Sequence, residues 1–176
     1  MNIFLIGFMG SGKSTIGKLL ASDLKMDFMD VDQVIEENYH KTIGQIFSIE
    51  GEEKFRQIES GIINNSFNQN SNMIVSVGGG LPCFHNNIDT MNTLGTTVYL
   101  KMSVKAIYDR LSQLPPSSRA IRPLLANKTN NELYEYISET LLKREAFYNK
   151  AKLIILNETS DAAITVDRIK MAINYL

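Results

Sequence analysis

The stretch Gly7-Phe8-Met9-Gly10-Ser11-Gly12-Lys13-Ser14 constrains this chain more than any other. It fits G-x-x-x-x-G-K-[S/T], the spacing of a phosphate-binding loop. Asn2-Ile3-Phe4-Leu5-Ile6 before it is a short apolar run, readable as a buried strand. Ile16, Leu19, Leu20 and Leu24 after it fall on one face of a helix. The order is strand, Gly-rich loop, helix. Glycine lets the backbone curl and turn several N–H groups inward, and the helix N-terminus adds the positive end of its dipole. Gly10, Ser11, Gly12, Lys13, Ser14 and Thr15 are therefore candidate nucleotide-phosphate contacts. Lys13 is placed to reach the terminal phosphates and Ser14 to offer its hydroxyl to Mg²⁺.

The rest of the chain must supply an acceptor site. At 176 residues, with 44% hydrophobic and 21% charged side chains, it is expected to be one soluble domain, residues 1–176. A net charge of -1 gives no general field toward nucleic acid or an anionic membrane. The charge is uneven: residues 23–59 hold ten acidic and four basic side chains, residues 101–130 six basic and one acidic. A basic segment facing a phosphate loop suits a nucleotide clamp; a solvated surface fits equally well. Cys83 is alone, so no internal disulfide forms, which suits a reducing compartment. The first residues carry no basic leader, and their apolar run is too short for a signal or a membrane span. A cytoplasmic location is expected.

Met26 to Met29 reads as a second strand ending in Asp30-Val31-Asp32. If the strand continues, Asp30 and Asp32 point the same way from its carboxyl end, where open α/β sheets bind ligands. The bland alternative is an N-cap aspartate with a spare surface carboxylate. Thr42-Ile43-Gly44-Gln45 reads as a capping box, Gly51 as a break or a bend, and Phe55, Ile58 and Ile62 as the face of a further helix. Arg56 and Glu59, three apart, read most simply as a surface ion pair. A polar linker over 64–72 precedes a third strand, Met73 to Val77, and then Gly78-Gly79-Gly80, bare backbone that something can approach closely. Thr96 to Lys101 and Leu153 to Leu156 are the fourth and fifth strands. Ser103 caps a helix carrying Ile107 and Leu111; Pro115-Pro116-Ser117-Ser118 ends it in a mobile-loop composition. Leu133, Ile137, Leu141 and Tyr148 form an apolar stripe that also contains Arg144, which either snorkels out or meets a ligand. Asp161 opens a last helix with core face Val166, Ile169, Ile173 and Leu176. This alternation predicts an α/β, doubly wound, five-stranded parallel sheet of the P-loop nucleoside-monophosphate-kinase type, with a mobile lid.

The blocks G-F-M-G-S-G-K-S-T (7–15), F-M-D-V-D (28–32), I-F-S-I-E-G-E-E-K-F-R-Q-I-E (46–59), S-V-G-G-G (76–80), I-R-P-L-L (121–125) and K-R-E-A-F-Y (143–148) occur in the order found in shikimate kinases, which the chain resembles over nearly its full length. The resemblance implies ATP-dependent phosphorylation of the 3-hydroxyl of shikimate, on the route to chorismate and the aromatic amino acids. It implies that Asp32 holds the shikimate hydroxyls and orients or deprotonates the attacking one. Ser14, with Asp30 and Ser76 through water, would hold Mg²⁺. Arg56 and Arg144 would grip the substrate carboxylate, and Gly78, Gly79 and Gly80 would line its ring. Arg110 would lie near the adenine. Arg122 would descend onto the phosphates with a lid of about residues 112–123, opposite a substrate-binding region of about 32–60. A monomer is implied.

The physical reading of the residues runs the same way. Phosphoryl transfer asks for positioning and for positive charge on the phosphates, which Lys13, Mg²⁺ and Arg122 supply. A carboxylate substrate asks for guanidinium forks that lysine cannot imitate. The segment from Arg110 to Arg122 is longer than in compact members of the family, which leaves the part of Arg119 open, and Asn157-Glu158-Thr159 matches the family's adenine-contacting stretch only loosely. His40 and His85 read as surface residues. Another hydroxy-acid kinase, such as a gluconate kinase, would share the loop; a P-loop module without catalysis is the alternative from another class.

Overall fold

The structure, a computed structural model, describes residues 1–68, 71–115 and 128–175. Five strands form one parallel sheet: β1 (Asn2–Ile6), β2 (Asp27–Asp30), β3 (Met73–Ser76), β4 (Gly95–Lys101) and β5 (Leu153–Leu156). Their order across the sheet is β2-β3-β1-β4-β5. The helices are α1 (Lys13–Leu24), α2 (Val31–Tyr39), α3 (Ile43–Ser66), α4 (Asn87–Leu94), α5 (Val104–Ser112), α6 (Asn130–Tyr148) and α7 (Ala162–Ile173), with a 3₁₀ turn at Leu81–Cys83.

Strand β1 explains why the sheet is covered on both sides. All five of its residues are apolar or buried, and successive side chains face opposite ways. Phe4 and Ile6 join a core with Val31, Ile46, Phe55 and Ile137. Ile3 and Leu5 join a second core with Ile16, Leu20, Val166 and Ile169, under α1 and α7. Strand β1 lies between β3 and β4, so the crossovers diverge there and a crevice opens at its carboxyl end. The phosphate loop leaves β1 at that switch point.

Several local readings shift. Strand β2 runs Asp27–Asp30 and stops, so Asp32 is not a strand residue; it lies in the first turn of α2. The Asp30 side chain causes this by accepting the Asp32 N–H at 3.1 Å and capping the helix. The capping box at Thr42 and Gln45 is present, and Gly51 (φ 79°) bends α3, the second of the two expectations for it. Helix α3 runs to Ser66, into the expected linker, and its most buried face is Phe55, Arg56, Glu59, Ser60 and Ile63, with Ile58 and Ile62 only half-buried. Strand β3 stops at Ser76, and β4 starts one residue early, at Gly95. Ser103 and Asp161 cap α5 and α7 as expected. His40 and His85 are exposed. Arg119, Arg122, Leu176 and the lid from residue 116 onward lie outside the described residues.

Candidate active site

Two groups of polar side chains meet at the carboxyl ends of β1, β2 and β3. The first surrounds the phosphate loop. Gly10 (φ 80°) and Gly12 (φ 85°) take conformations that side chains disfavour, and Gly12 precedes α1 directly. Ser11 is buried, whereas Ser14 and Thr15 are exposed in the first turn of α1. Lys13 is 9% exposed; its Nζ donates to the carbonyls of Gly7 and Phe8, both at 3.0 Å, so the ammonium lies across the loop that carries it.

Sheet register brings the oxygen donors together. Ser76 pairs with Leu5 on one side and Asp30 on the other. Ser14 Oγ donates to Asp30 Oδ2 at 2.6 Å and lies 3.3 Å from Ser76 Oγ. No set of three or more His, Cys, Asp or Glu side chains capable of holding a metal exists among the described residues. One carboxylate and two hydroxyls, all hard oxygen donors, fit Mg²⁺, which keeps several waters and takes substrate phosphates rather than an all-protein cage. On the other flank, Arg110 donates to the carbonyls of Gly10 at 3.3 Å and Thr159 at 2.5 Å. Burial lowers its pKa, though a guanidinium stays charged. Beside it opens a cavity of about 380 Å³ lined by Gly10, Arg110, Leu111, Gln113 and Leu114.

The second group is built on Gly78, Gly79 and Gly80. A Cβ on Gly78 would lie 2.7 Å from Glu59 Oε1 and 3.0 Å from Asp32 Oδ1; one on Gly80 would lie 2.7 Å from both terminal nitrogens of Arg56; one on Gly79 would lie 3.5 Å from Arg144 Nη1. The missing side chains are what let two acids and two guanidiniums reach this backbone. Arg56 and Glu59 are 5% and 1% exposed and bonded at 2.6 Å, so they are a buried pair and not the surface pair their spacing suggests. Arg56 also reaches Glu52 at 3.0 Å and stacks on Phe84, centroid 4.6 Å away. Its Nε is buried without a partner. Arg144 is half-buried, with its guanidinium 5.8 Å from the Phe8 ring centroid. The neighbouring Tyr148 hydroxyl donates to the Gly79 carbonyl at 2.5 Å.

The electrostatics follow from this crowding. Burial, then repulsion from Asp30, raises the Asp32 carboxyl to about 6, with Lys13 and Arg56 partly offsetting them. Burial also pushes Glu59 up, against the pull of Arg56. The paired carboxylates in turn hold Arg56 charged. Cys83, at the edge of the site, is pushed up to about 11 by burial, which leaves it an unreactive thiol.

The structure thus gathers Lys13, Ser14, Asp30 and Ser76 on one side of the loop, Asp32, Arg56, Gly78, Gly79, Gly80 and Arg144 on the other, and Arg110 at the far flank. Sequence reasoning paired Arg56 with Glu59 but set the pair at the surface, and it passed over Glu52 as a second partner of Arg56 and Tyr148 as a brace on Gly79. The i,i+3 and i,i+4 spacings to Arg56 were visible; burial was the missing information.

A phosphate loop at a sheet's switch point, with oxygen donors for a cation and an acid flanked by guanidiniums, defines a P-loop kinase acting on a small molecule. A profile of the shikimate kinase family matches residues 9–174. The shikimate kinase of Azobacteroides pseudotrichonymphae is 45% identical over 152 residues, 86% of this chain and 87% of the relative. The crystal structure of shikimate kinase from Bacteroides thetaiotaomicron superposes with a TM-score of 0.90 at 35% identity, over 99% of this chain and 98% of that one. Shikimate kinase from Acinetobacter baumannii in complex with shikimate gives 0.88 at 30% identity, over 99% and 93%. A Sinorhizobium meliloti gluconokinase shares the fold alone, at 12% identity and a TM-score of 0.53. The chain belongs to the shikimate kinase family.

Proposed function

We propose that this chain transfers the γ-phosphoryl group of ATP to the 3-hydroxyl of shikimate, giving shikimate 3-phosphate, as a cytoplasmic monomer. The observation that carries the reading is the placement of Asp32, Arg56 and Arg144 around the bare Gly78–Gly80 backbone, beside the phosphate loop. Arg56 and Arg144 take the substrate carboxylate, and Asp32 orients the attacking hydroxyl and accepts its proton. Lys13 leaves the loop carbonyls for the phosphates, which demand the charge more strongly. Ser14, with Asp30 and Ser76 through water, would hold Mg²⁺, which would supply positive charge to the transferring phosphates. Arg110 lies against the adenine. Arg122, within a lid of about residues 112–123, adds charge at the phosphates, and residues 32–60 form the substrate region of one kinase domain.

Coupled ADP release with MgATP tests this against shikimate, gluconate and a shikimate analogue lacking the carboxylate. Shikimate-dependent turnover with little from the others is expected. Equal turnover of gluconate, or none with shikimate, would overturn the assignment.

A further inference from the structure

The phosphate loop is held from behind by a side chain outside it. Asn157, just after β5 and 1% exposed, donates from Nδ2 to the Ser11 carbonyl at 2.6 Å. Its Oδ1 accepts from Thr165 Oγ1 at 2.8 Å, and Thr165, on α7, is fully buried. The Asn157 backbone N–H donates to the Lys101 carbonyl of β4 at 2.8 Å. The amide therefore has one orientation. Its nitrogen faces a carbonyl, which only accepts, and its oxygen faces a hydroxyl that can donate.

Peptide geometry carries this anchor into the loop. In a trans peptide the carbonyl and the following N–H point to opposite sides, and the described residues contain no cis peptide bond. Fixing the Ser11 carbonyl outward, toward β5 and α7, turns the Gly12 N–H to the inner side of the loop. The Ser11 N–H is already committed to the Phe8 carbonyl at 3.1 Å. The donor whose direction rests on Asn157 is thus the Gly12 N–H, at the start of α1, where an anion gains most from the helix terminus.

We infer that Asn157 and Thr165 are positioning residues for the nucleotide, a latch that holds the Ser11–Gly12 peptide in its phosphate-binding orientation. The inference rests on the kinase reading above, and both residues act through the Ser11–Gly12 peptide.

The test is calorimetric binding of MgADP and, separately, of shikimate to Asn157→Asp and Thr165→Val. The aspartate sets an oxygen against the Ser11 carbonyl, so MgADP affinity is expected to fall about tenfold. Thr165→Val leaves the bond to Ser11 but frees the amide to rotate, and a loss of about threefold is expected. Shikimate affinity stays within about twofold in both. MgADP affinity unchanged in both variants, or an equal loss for both ligands, would overturn the latch, the second by showing a merely structural role. If Asn157→Asp does not fold, Thr165→Val decides alone by the same criteria. MgADP binding needs no phosphoryl acceptor, so failure of the parent to phosphorylate shikimate would refute the proposed function and leave this measurement standing.

Discussion

Replacing Gly80 with alanine tests whether the glycine run exists to admit Arg56. The Gly80 backbone sits at φ -87° and ψ -26°, which alanine adopts freely, so no strain confuses the result. The new methyl would lie 2.7 Å from Nη1 and Nη2 and 2.8 Å from Cζ of Arg56. Ordinary contact needs about 3.5 Å, so the guanidinium must retreat by roughly 0.7 Å. Phe84, 4.6 Å away, and the 2.6 Å bond to Glu59 restrict where it can go. A fork displaced this far loses at least one charge-assisted hydrogen bond to the substrate carboxylate, worth about 1.5–3 kcal/mol. Shikimate KM should therefore rise roughly 10- to 150-fold. Steady-state kinetics with each substrate varied in turn is the assay, and KM for ATP should move less than about twofold. A shikimate KM unchanged, or both constants rising together, would refute the steric argument.

Other perturbations separate the remaining roles. Lys13→Ala should cost on the order of 10²–10³ in kcat with the fold retained, measured by turnover and circular dichroism, because it removes one preorganised charge. Asp32→Asn should cripple turnover while calorimetry still shows MgATP binding, since an amide cannot take the hydroxyl proton. Arg144→Lys keeps the charge but loses the fork, so shikimate KM should rise about tenfold or more, and the carboxylate-free analogue should be indifferent to the change. With Asp32 raised to about 6, kcat/KM for shikimate should fall as pH drops through that value, because the protonated acid cannot act as a base. The same raised pKa contributes stability below the usual aspartate range that is lost as pH rises through about 6, so Asp32→Asn should melt above the parent at about pH 8 and converge with it near pH 4.

The parts that were legible in the sequence depend on neighbours along the chain. Strand β1 shows as an unbroken apolar run because both its faces are buried, and the loop shows because its glycines and Lys13 stand at fixed offsets. Asp32 was misplaced because alternation assumes an extended chain, whereas the Asp30 side chain starts a helix there; the N-cap reading of the same residues was the better local rule. The burial of Arg56 and Glu59 could not be read from i,i+3 spacing, since Gly80 and Phe84, which enclose Arg56, come from more than twenty residues further along. Asn157 was harder still. A polar residue after a strand looks like any loop start, and its partner Ser11 is 146 positions away.

Arg56 and Arg144 share one sign and one expected ligand, yet their surroundings divide the task. Arg56 is buried, bonded to Glu59 and Glu52 and stacked on three rings, Phe47, Phe55 and Phe84. Its charge is largely answered before any substrate arrives, and burial without those partners would be costly. Such a group contributes direction: a guanidinium plane fixed against Gly80. Arg144 makes no ion pair among the described residues; its guanidinium lies 5.8 Å from the Phe8 ring centroid, hydrogen-bonds Tyr148 and pulls on the more distant charge of Glu59. Its positive charge is less fully answered than that of Arg56, which on the proposed reading would leave it to an incoming carboxylate. In the proposed reading the substrate's anion would gain attraction from Arg144 and orientation from Arg56. Glu59, pressed against Gly78 beside Asp32, keeps Arg56 aimed, while burial, with repulsion from Asp32 added, holds its own carboxyl above the ordinary carboxylate range. Three glycines make that arrangement possible by leaving no side chain between these four groups and the backbone they surround.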